Sequence, residues 1–389
     1  MLSNRALSIN PSSTLAITSR AKQMKKDGID VVPFAAGEPD FDTPDNIKKA
    51  AIEAINSGFT KYTPSSGIPE LKKAICEKFK KDNHLDYELE NIMVSTGAKQ
   101  CLYNIIQVLI NPGDEVLIPS PYWVSYPEMV KLAEGKCIFL PTVNFKINQK
   151  ILEAAITDKT KALILNSPAN PTGVVYDKQE LKMIADICKK HSIYVISDEI
   201  YELLIYEKKH ISIASFDQDI KKLTIVVNGV SKTYAMTGWR IGYCAGQKEI
   251  IKAASSIQDH STSNPNSIAQ KAALEALTGP QDAIKKMKQA YQKRRDYMMQ
   301  RLQKIKGIKV PLPDGAFYVF ADVSQLYNPN IPNSVEFCRR LLEKNHVATI
   351  PGGAFGDDRY IRLSYATNED NIKKGLDRIE AFVKTFAVK

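Results

Sequence analysis

A lysine at the mouth of an apolar run is the first residue of this chain that could do chemistry. In LTIVVNGVSKTYAMTGWRIGYCAG, Leu223 to Gly246, Lys232 follows a buried-strand pattern and Arg240 stands eight residues later. An amine held there sits partly out of water, where burial lowers its pKa and favours the neutral nucleophile. A strand-end lysine can also snorkel to solvent. Other apolar runs end in polar residues too: IYVISDEIY gives Asp198 and, three residues on, Tyr201, KALILNSPANPTG gives Asn166 and Asn170, and TIVVNGVSK gives Ser231 beside Lys232. Singly, an Asp after a strand reads as a helix N-cap and NPTG as a turn. Jointly they put an amine, a carboxylate, a phenol and an amide at successive strand ends. Pyridoxal phosphate asks for that set: a lysine for its Schiff base and an acid that keeps the pyridine nitrogen protonated, so that the ring accepts electrons. Lys232 and Asp198 fit those roles. The phosphate needs a guanidinium, hydroxyls and helix-start N–H groups, which Arg240, Ser231 and the STGAKQ turn offer, with Gly97 and Ala98 opening a helix. Tyr201 and Asn170 are in line for the ring oxygen, and Trp123 is available as a stacking face or as a core residue.

The elements that must position these residues alternate between short β-rich runs and helical patterns from about Glu90 onward, which predicts a mainly parallel sheet covered by helices. Strands are expected at IMVST, EVLIP, CIFLP, ALILNS, YVISD, TIVVN and IGYCAG, with crossover helices at AKQCLYNIIQVLI, SYPEMVKLAE and KQELKMIADICKKH. Only the Ser231–Arg240 loop separates the last two strands, so one antiparallel pairing is expected. In such a sheet the ligand lies at the carboxyl ends of the strands. After Gly279-Pro280 the pattern changes to a long charged helix and a further sheet-and-helix region. Residues 44–280 are therefore expected to form a large cofactor-binding domain, and residues 1–43 with 281–389 a smaller one.

Composition narrows the function. The 389 residues are 44% hydrophobic and 25% charged, without an apolar run of membrane-spanning length. The start lacks a basic region followed by an apolar core, so a cytoplasmic location is expected. Six scattered cysteines without a C-x-x-C pair read as reduced core residues. Five dispersed histidines give no metal-ligand spacing, and no metal is expected. The net charge of +10 is spread over helix faces rather than gathered in a stripe, which argues against a nucleic-acid partner.

The motifs AAGEPDFDTP, KYTPSSGIPELKKAI, SPYWVSYPEM, NSPANPTG, SDEIY, VSKTYAMTGWRIGY, GAFY and RLSYA, in this order from about Pro11 to Ala366, resemble those of class I pyridoxal-phosphate aminotransferases of fold type I. They are most similar to the bacterial aspartate aminotransferase subgroup that includes aspartate/prephenate aminotransferases. The resemblance implies an α/β fold, a mainly parallel seven-stranded sheet with helices on both faces plus a smaller α+β domain. It makes Lys232 the Schiff-base lysine, Asp198 the pyridinium partner, Arg240 the phosphate arginine, Tyr201 and Asn170 the ring-oxygen ligands and Trp123 the stacking residue. Arg362 would clamp the substrate α-carboxylate with Asn170 and the Gly37 backbone. Tyr62 would reach the phosphate of a neighbouring subunit, giving a homodimer with composite sites. Two departures stand out. Gly229 occupies the position three before the lysine where many relatives have a hydroxyl residue, and QDHSTSNPNSIAQ lacks the partner arginine that other aspartate enzymes use for the distal carboxylate. Lys99 and Thr14 match the residues associated with that carboxylate in aspartate/prephenate relatives. The implied reaction is transfer between L-aspartate and 2-oxoglutarate, with prephenate as a further acceptor. Other donors, a β-lyase reaction, a cofactor-free aldolase and a non-catalytic regulatory protein are the alternative readings.

Overall fold

The computed structural model describes residues 2–11 and 13–385. Seven strands, β1 (Ile92–Ser95), β2 (Glu115–Ser120), β3 (Lys136–Pro141), β4 (Thr160–Asn166), β5 (Tyr194–Asp198), β6 (Thr224–Gly229) and β7 (Gly242–Ala245), pair in the order β1-β7-β6-β5-β4-β2-β3. All seven coincide with the expected runs. β2 to β6 are mutually parallel with β3, whereas β7 runs antiparallel to β6, as its short connection requires. Reversing one strand also reverses its other pairing, so β1 is antiparallel to β7, which the sequence pattern had not indicated.

Alternate side chains of each strand enter opposite cores, the period-2 rule of strands. Val116, Ile118, Ile164, Ile196 and Val227 pack under the helices Ala98–Leu109, Ser125–Leu132 and Lys248–Asp259. Leu117, Leu163, Leu165 and Val195 face the helix Lys178–Lys190 on the other side. That helix starts where Asp177 and Glu180 form a reciprocal capping box, which satisfies two otherwise orphaned N–H groups. Among the described residues no helix is long and apolar enough to cross a membrane.

A second, antiparallel sheet contains β8 (Tyr318–Asp322), β9 (Ile350–Pro351) and β10 (Tyr360–Ser364), in the order β8-β10-β9. The N-terminal chain joins this region. Val32 bridges Val347, and Ala21, Met24 and Val31 share a core with Phe320, Leu342 and Ile350. Gly37, Arg362 and Tyr318 are thereby brought to the ends of the large sheet.

Candidate active site

Asp198 ends β5, in register with Asn166 at the end of β4. Its carboxylate is buried and accepts hydrogen bonds from the Tyr126 hydroxyl at 2.7 Å and the Ile200 N–H at 3.3 Å. Burial pushes the Asp198 carboxyl up to about 6, against the lowering effect of those two bonds and of Lys232. Tyr126 is itself buried and stays a proton donor far above its ordinary range, held there by burial and by the Asp198 charge. Lys232 lies past the end of β6, where its Nζ donates to the Gly37 carbonyl at 2.6 Å. Burial, then the Arg362 and Arg240 charges, bring this amine down to about 8, with Glu38 and Asp198 opposing. The Gly37 backbone, expected to serve the substrate, thus engages the amine first.

Arg362 sits in the middle of β10, opposite Phe320 on one side and Ile350 on the other. Its guanidinium donates to Asn170 Oδ1 at 2.9 Å and to the Ala35 carbonyl at 3.1 Å, and lies 4.3 Å from the Tyr318 ring centre. The buried Nε has no partner, and among the described residues no carboxylate pairs with this arginine. Burial accordingly lowers its proton affinity. Tyr201 and Tyr318 share a hydroxyl hydrogen bond of 3.0 Å, which links the Asp198 side of the site to Arg362.

A third group forms where the helix Ala98–Leu109 begins. Gly97 is its N-cap, at φ +85°, and gives no side-chain cap. A Cβ there would lie 2.6 Å from Arg240 Nη2, and one on Gly242 would lie 2.1 Å from the Ala98 nitrogen. Glycine is needed at both positions for the guanidinium and β7 to approach the helix start. Arg240 donates to the Thr237 carbonyl at 2.9 Å. Helix N–H groups beside a guanidinium make an anion site. Lys99 follows in the first turn, 4.8 Å from the Trp123 ring, and burial with the Arg240 charge lowers its pKa. Trp123 packs edge-on to Tyr126 at 5.3 Å, so one short segment carries both a ring face and the hydroxyl on Asp198. A Cβ on Gly229 would stand 3.0 Å from Gly242 Cα and 3.1 Å from the Ile241 carbonyl, a tight fit for any side chain there. The hydroxyl at Ser231 is buried beside Lys232.

The sequence profile "Aminotransferase class I and II" matches residues 29–379. The chain belongs to the class I and II aminotransferases. It is 51% identical to the aspartate aminotransferase of Bacillus sp. (strain YM-2), over 99% of each chain, and 49% identical to the probable aspartate/prephenate aminotransferase of Rickettsia conorii, over 98% of each. The structure of the Thermus thermophilus aspartate aminotransferase with maleate superposes with a TM-score of 0.94 at 44% identity, covering 98% of this chain and 99% of that one. The fold is therefore fold type I, whose aspartate aminotransferases depend on pyridoxal phosphate.

Tyr62 and Thr14 are the two remaining expected residues. Tyr62 projects to solvent and is 91% exposed. Thr14 lies in the first turn of the helix Ser13–Lys26, with its carbonyl on the Thr18 hydroxyl at 2.8 Å, and one turn on Ile17 packs in the cluster that holds Val124, next to Trp123. The sequence reading missed Tyr126, Tyr318 and the Ala35 carbonyl. Tyr126 had one signal, its position three residues after Trp123, and Tyr318 was inside the quoted GAFY motif.

Proposed function

We propose that this aminotransferase moves the amino group between L-aspartate and 2-oxoglutarate, giving oxaloacetate and L-glutamate, with pyridoxal phosphate as cofactor and prephenate as a further acceptor. The observation that carries this reading is a buried guanidinium, Arg362, hydrogen-bonded to two neutral acceptors and, among the described residues, without a carboxylate partner. A planar fork in that condition suits an α-carboxylate. Aspartate as donor is supported by the names of the relatives, and the Thermus protein was solved with maleate, a dicarboxylate.

The residues fit the cofactor. The Gly97, Ala98 and Lys99 backbone at the helix start, with Ser231 and Arg240, would hold its phosphate, Asp198 its ring nitrogen, Trp123 its face, Tyr201 and Asn170 its ring oxygen, and Lys232 its covalent link. When bound, the cofactor supplies the electron sink that acidifies the substrate Cα–H bond. Lys232 Nζ takes that proton and returns it, and a proton affinity brought toward neutral suits a group that must do both. Asp198, held by the Tyr126 hydroxyl, would present its carboxylate to the ring nitrogen. Arg362 fixes the α-carboxylate, while Lys99 and Thr14 serve the distal one. The working unit in this reading is a cytoplasmic homodimer in which Tyr62 reaches the other copy's site, supported by the exposure of Tyr62, Ile52 and Ile55. Residues 1–43 and 281–389 form the smaller domain and 44–280 the larger, supported by the bridge between Val32 and Val347.

The test is the absorption spectrum of the purified, cofactor-loaded protein. A visible band is expected that L-aspartate bleaches, that 2-oxoglutarate restores and that borohydride fixes onto Lys232. An adduct on another lysine, or no band, ends the cofactor assignment. A band that answers aromatic or branched donors but ignores aspartate overturns the substrate and leaves the transfer chemistry standing.

A further inference from the structure

Glu199 and Glu202 directly follow Asp198 and Tyr201, and both are buried, at 1% and 5% exposed. The Glu199 carboxylate accepts from Ser197 Oγ at 2.9 Å and Ser212 Oγ at 2.7 Å, and meets His210 Nε2 at 2.8 Å. Glu202 accepts from Asn83 and Asn228, each at 2.7 Å, and pairs with the Lys78 ammonium, which also donates to Asn83 Oδ1 at 2.6 Å. Ligand atoms of Glu199, Glu202 and His210 lie within 4.8 Å of one another, a spacing that a metal ion accepts, but the Lys78 ammonium already sits on Glu202 as the cation.

Two carboxylates, one ammonium and one imidazole sum to zero only when His210 carries a proton. Burial and an Nδ1 without a partner work against that proton, whereas the Glu199 carboxylate at 2.8 Å from Nε2 and Glu202 favour it, and the His210 pKa is raised, with Lys78 opposing. Among the other groups facing the cluster, Tyr87, Tyr234 and Tyr243 remain neutral phenols because burial raises them, and burial also raises Asp82, on the helix of Lys78. A buried ion cluster adds little stability over apolar residues of the same volume, so stability alone does not account for it. Its connections do. Glu202 joins the turn that carries Tyr201 to Asn228 in β6, four residues before Lys232, and to the helix Pro69–Asn83.

We propose that Lys78, His210, Glu199 and Glu202 act as a charge-balanced positioning cluster that locks the Asp198–Tyr201 turn to the strand of Lys232 and keeps net charge away from Asp198. This rests on the cofactor reading above. The test titrates the visible band of the loaded enzyme. Negative charge near the cofactor favours its protonated form, so Glu199→Gln should lower the midpoint while Lys78→Met and His210→Gln should raise it, each by about half to one pH unit. The double variant Lys78→Met/Glu202→Gln, balanced again, should return it to the wild-type value. Midpoints that stay fixed while melting temperatures fall, or that all move the same way, would overturn the cluster's role. Glu199→Gln is nearly isosteric and keeps the test decisive if a cation variant does not fold. No band in the wild type would take down the cofactor reading and this proposal with it, whereas a band with immobile midpoints would take down this proposal alone.

Discussion

Arg295, in the long helix Asp282–Leu302, and Arg362, in β10, are equally buried, at 2% and 3% exposed, yet their surroundings are opposite. Arg295 donates to Glu207, Asp296 and the Pro313 carbonyl and lies 4.5 Å from the Tyr206 ring. Burial alone would lower its proton affinity, but the two carboxylates raise it instead. Arg362 has neutral acceptors, an orphaned Nε and a lowered proton affinity. The first charge is completed within the chain; the second has no carboxylate partner among the described residues. On the proposed reading that difference separates a buried charge that holds the fold from one that receives a ligand, and it can be tested.

Lys232 belongs with Arg362, and its removal should have the largest effect. Lys232→Ala is expected to cut turnover by at least about 1,000-fold, the scale of a lost proton-transfer group, while the cofactor still binds. Near-normal single-turnover rates would remove Lys232 from the chemistry. The two arginines come next, as mirror images. Arg362→Lys should lower kcat/KM for aspartate roughly 100- to 1,000-fold, about 2.7–4 kcal/mol of charge-assisted hydrogen bonding, and leave the melting temperature unchanged. Arg295→Met should cost about 1–3 kcal/mol of stability with kcat/KM nearly intact, and finding the two phenotypes exchanged would break the distinction.

Tyr126→Phe removes the short hydrogen bond to Asp198 and is expected to lower kcat about 10-fold, leaving the KM for aspartate in place; a pure KM effect would assign Tyr126 to substrate binding instead. For Lys99→Ala and Thr14→Ala the prediction is a selective loss, with acidic substrates weakened about 10-fold more than apolar ones. Equal losses for both classes would remove these residues from the distal carboxylate.

The smallest effect concerns the cofactor-free protein. Asp198, raised to about 6, holds a proton that the unfolded chain has lost, so its contribution to stability falls as pH rises from about 4 to 6. Lys232, lowered to about 8, gives up a proton that the unfolded chain retains, so stability rises again between about 8 and 10.4. Melting curves of wild type and Lys232→Met should differ in that upper limb, and identical limbs would contradict the lowered amine.

Most of the large sheet was legible because its strands are short apolar runs closed by Asn, Asp, Gly or Pro, and the signal is local. The positions of Asp198 and Lys232 were legible for the same reason, as polar residues at or just past strand ends, and that of Asn170 as part of the turn after β4. What stayed hidden depends on chain distant in sequence. Tyr126 is one of 17 tyrosines, and only the fold shows its hydroxyl on Asp198, 72 residues away. His210 shows no metal-ligand spacing in the sequence, yet it meets Glu199 in space. The antiparallel β1 was unreadable because its direction follows from β7, about 150 residues later.

The late arrival of β7 also orders how this protein comes into being on the ribosome. The helix start at Gly97 and Ala98 is shaped by Gly242 and Arg240, so the first strand and its helix emerge long before the backbone they pack against. Arg362 follows more than a hundred residues later still. Pairings so far apart in sequence form slowly, and a nascent chain that has released β1 through β6 still lacks the Arg240 guanidinium and the Gly242 backbone that lie against this helix start. On the proposed cofactor reading, the phosphate would find its full set of contacts only in a chain grown past β7.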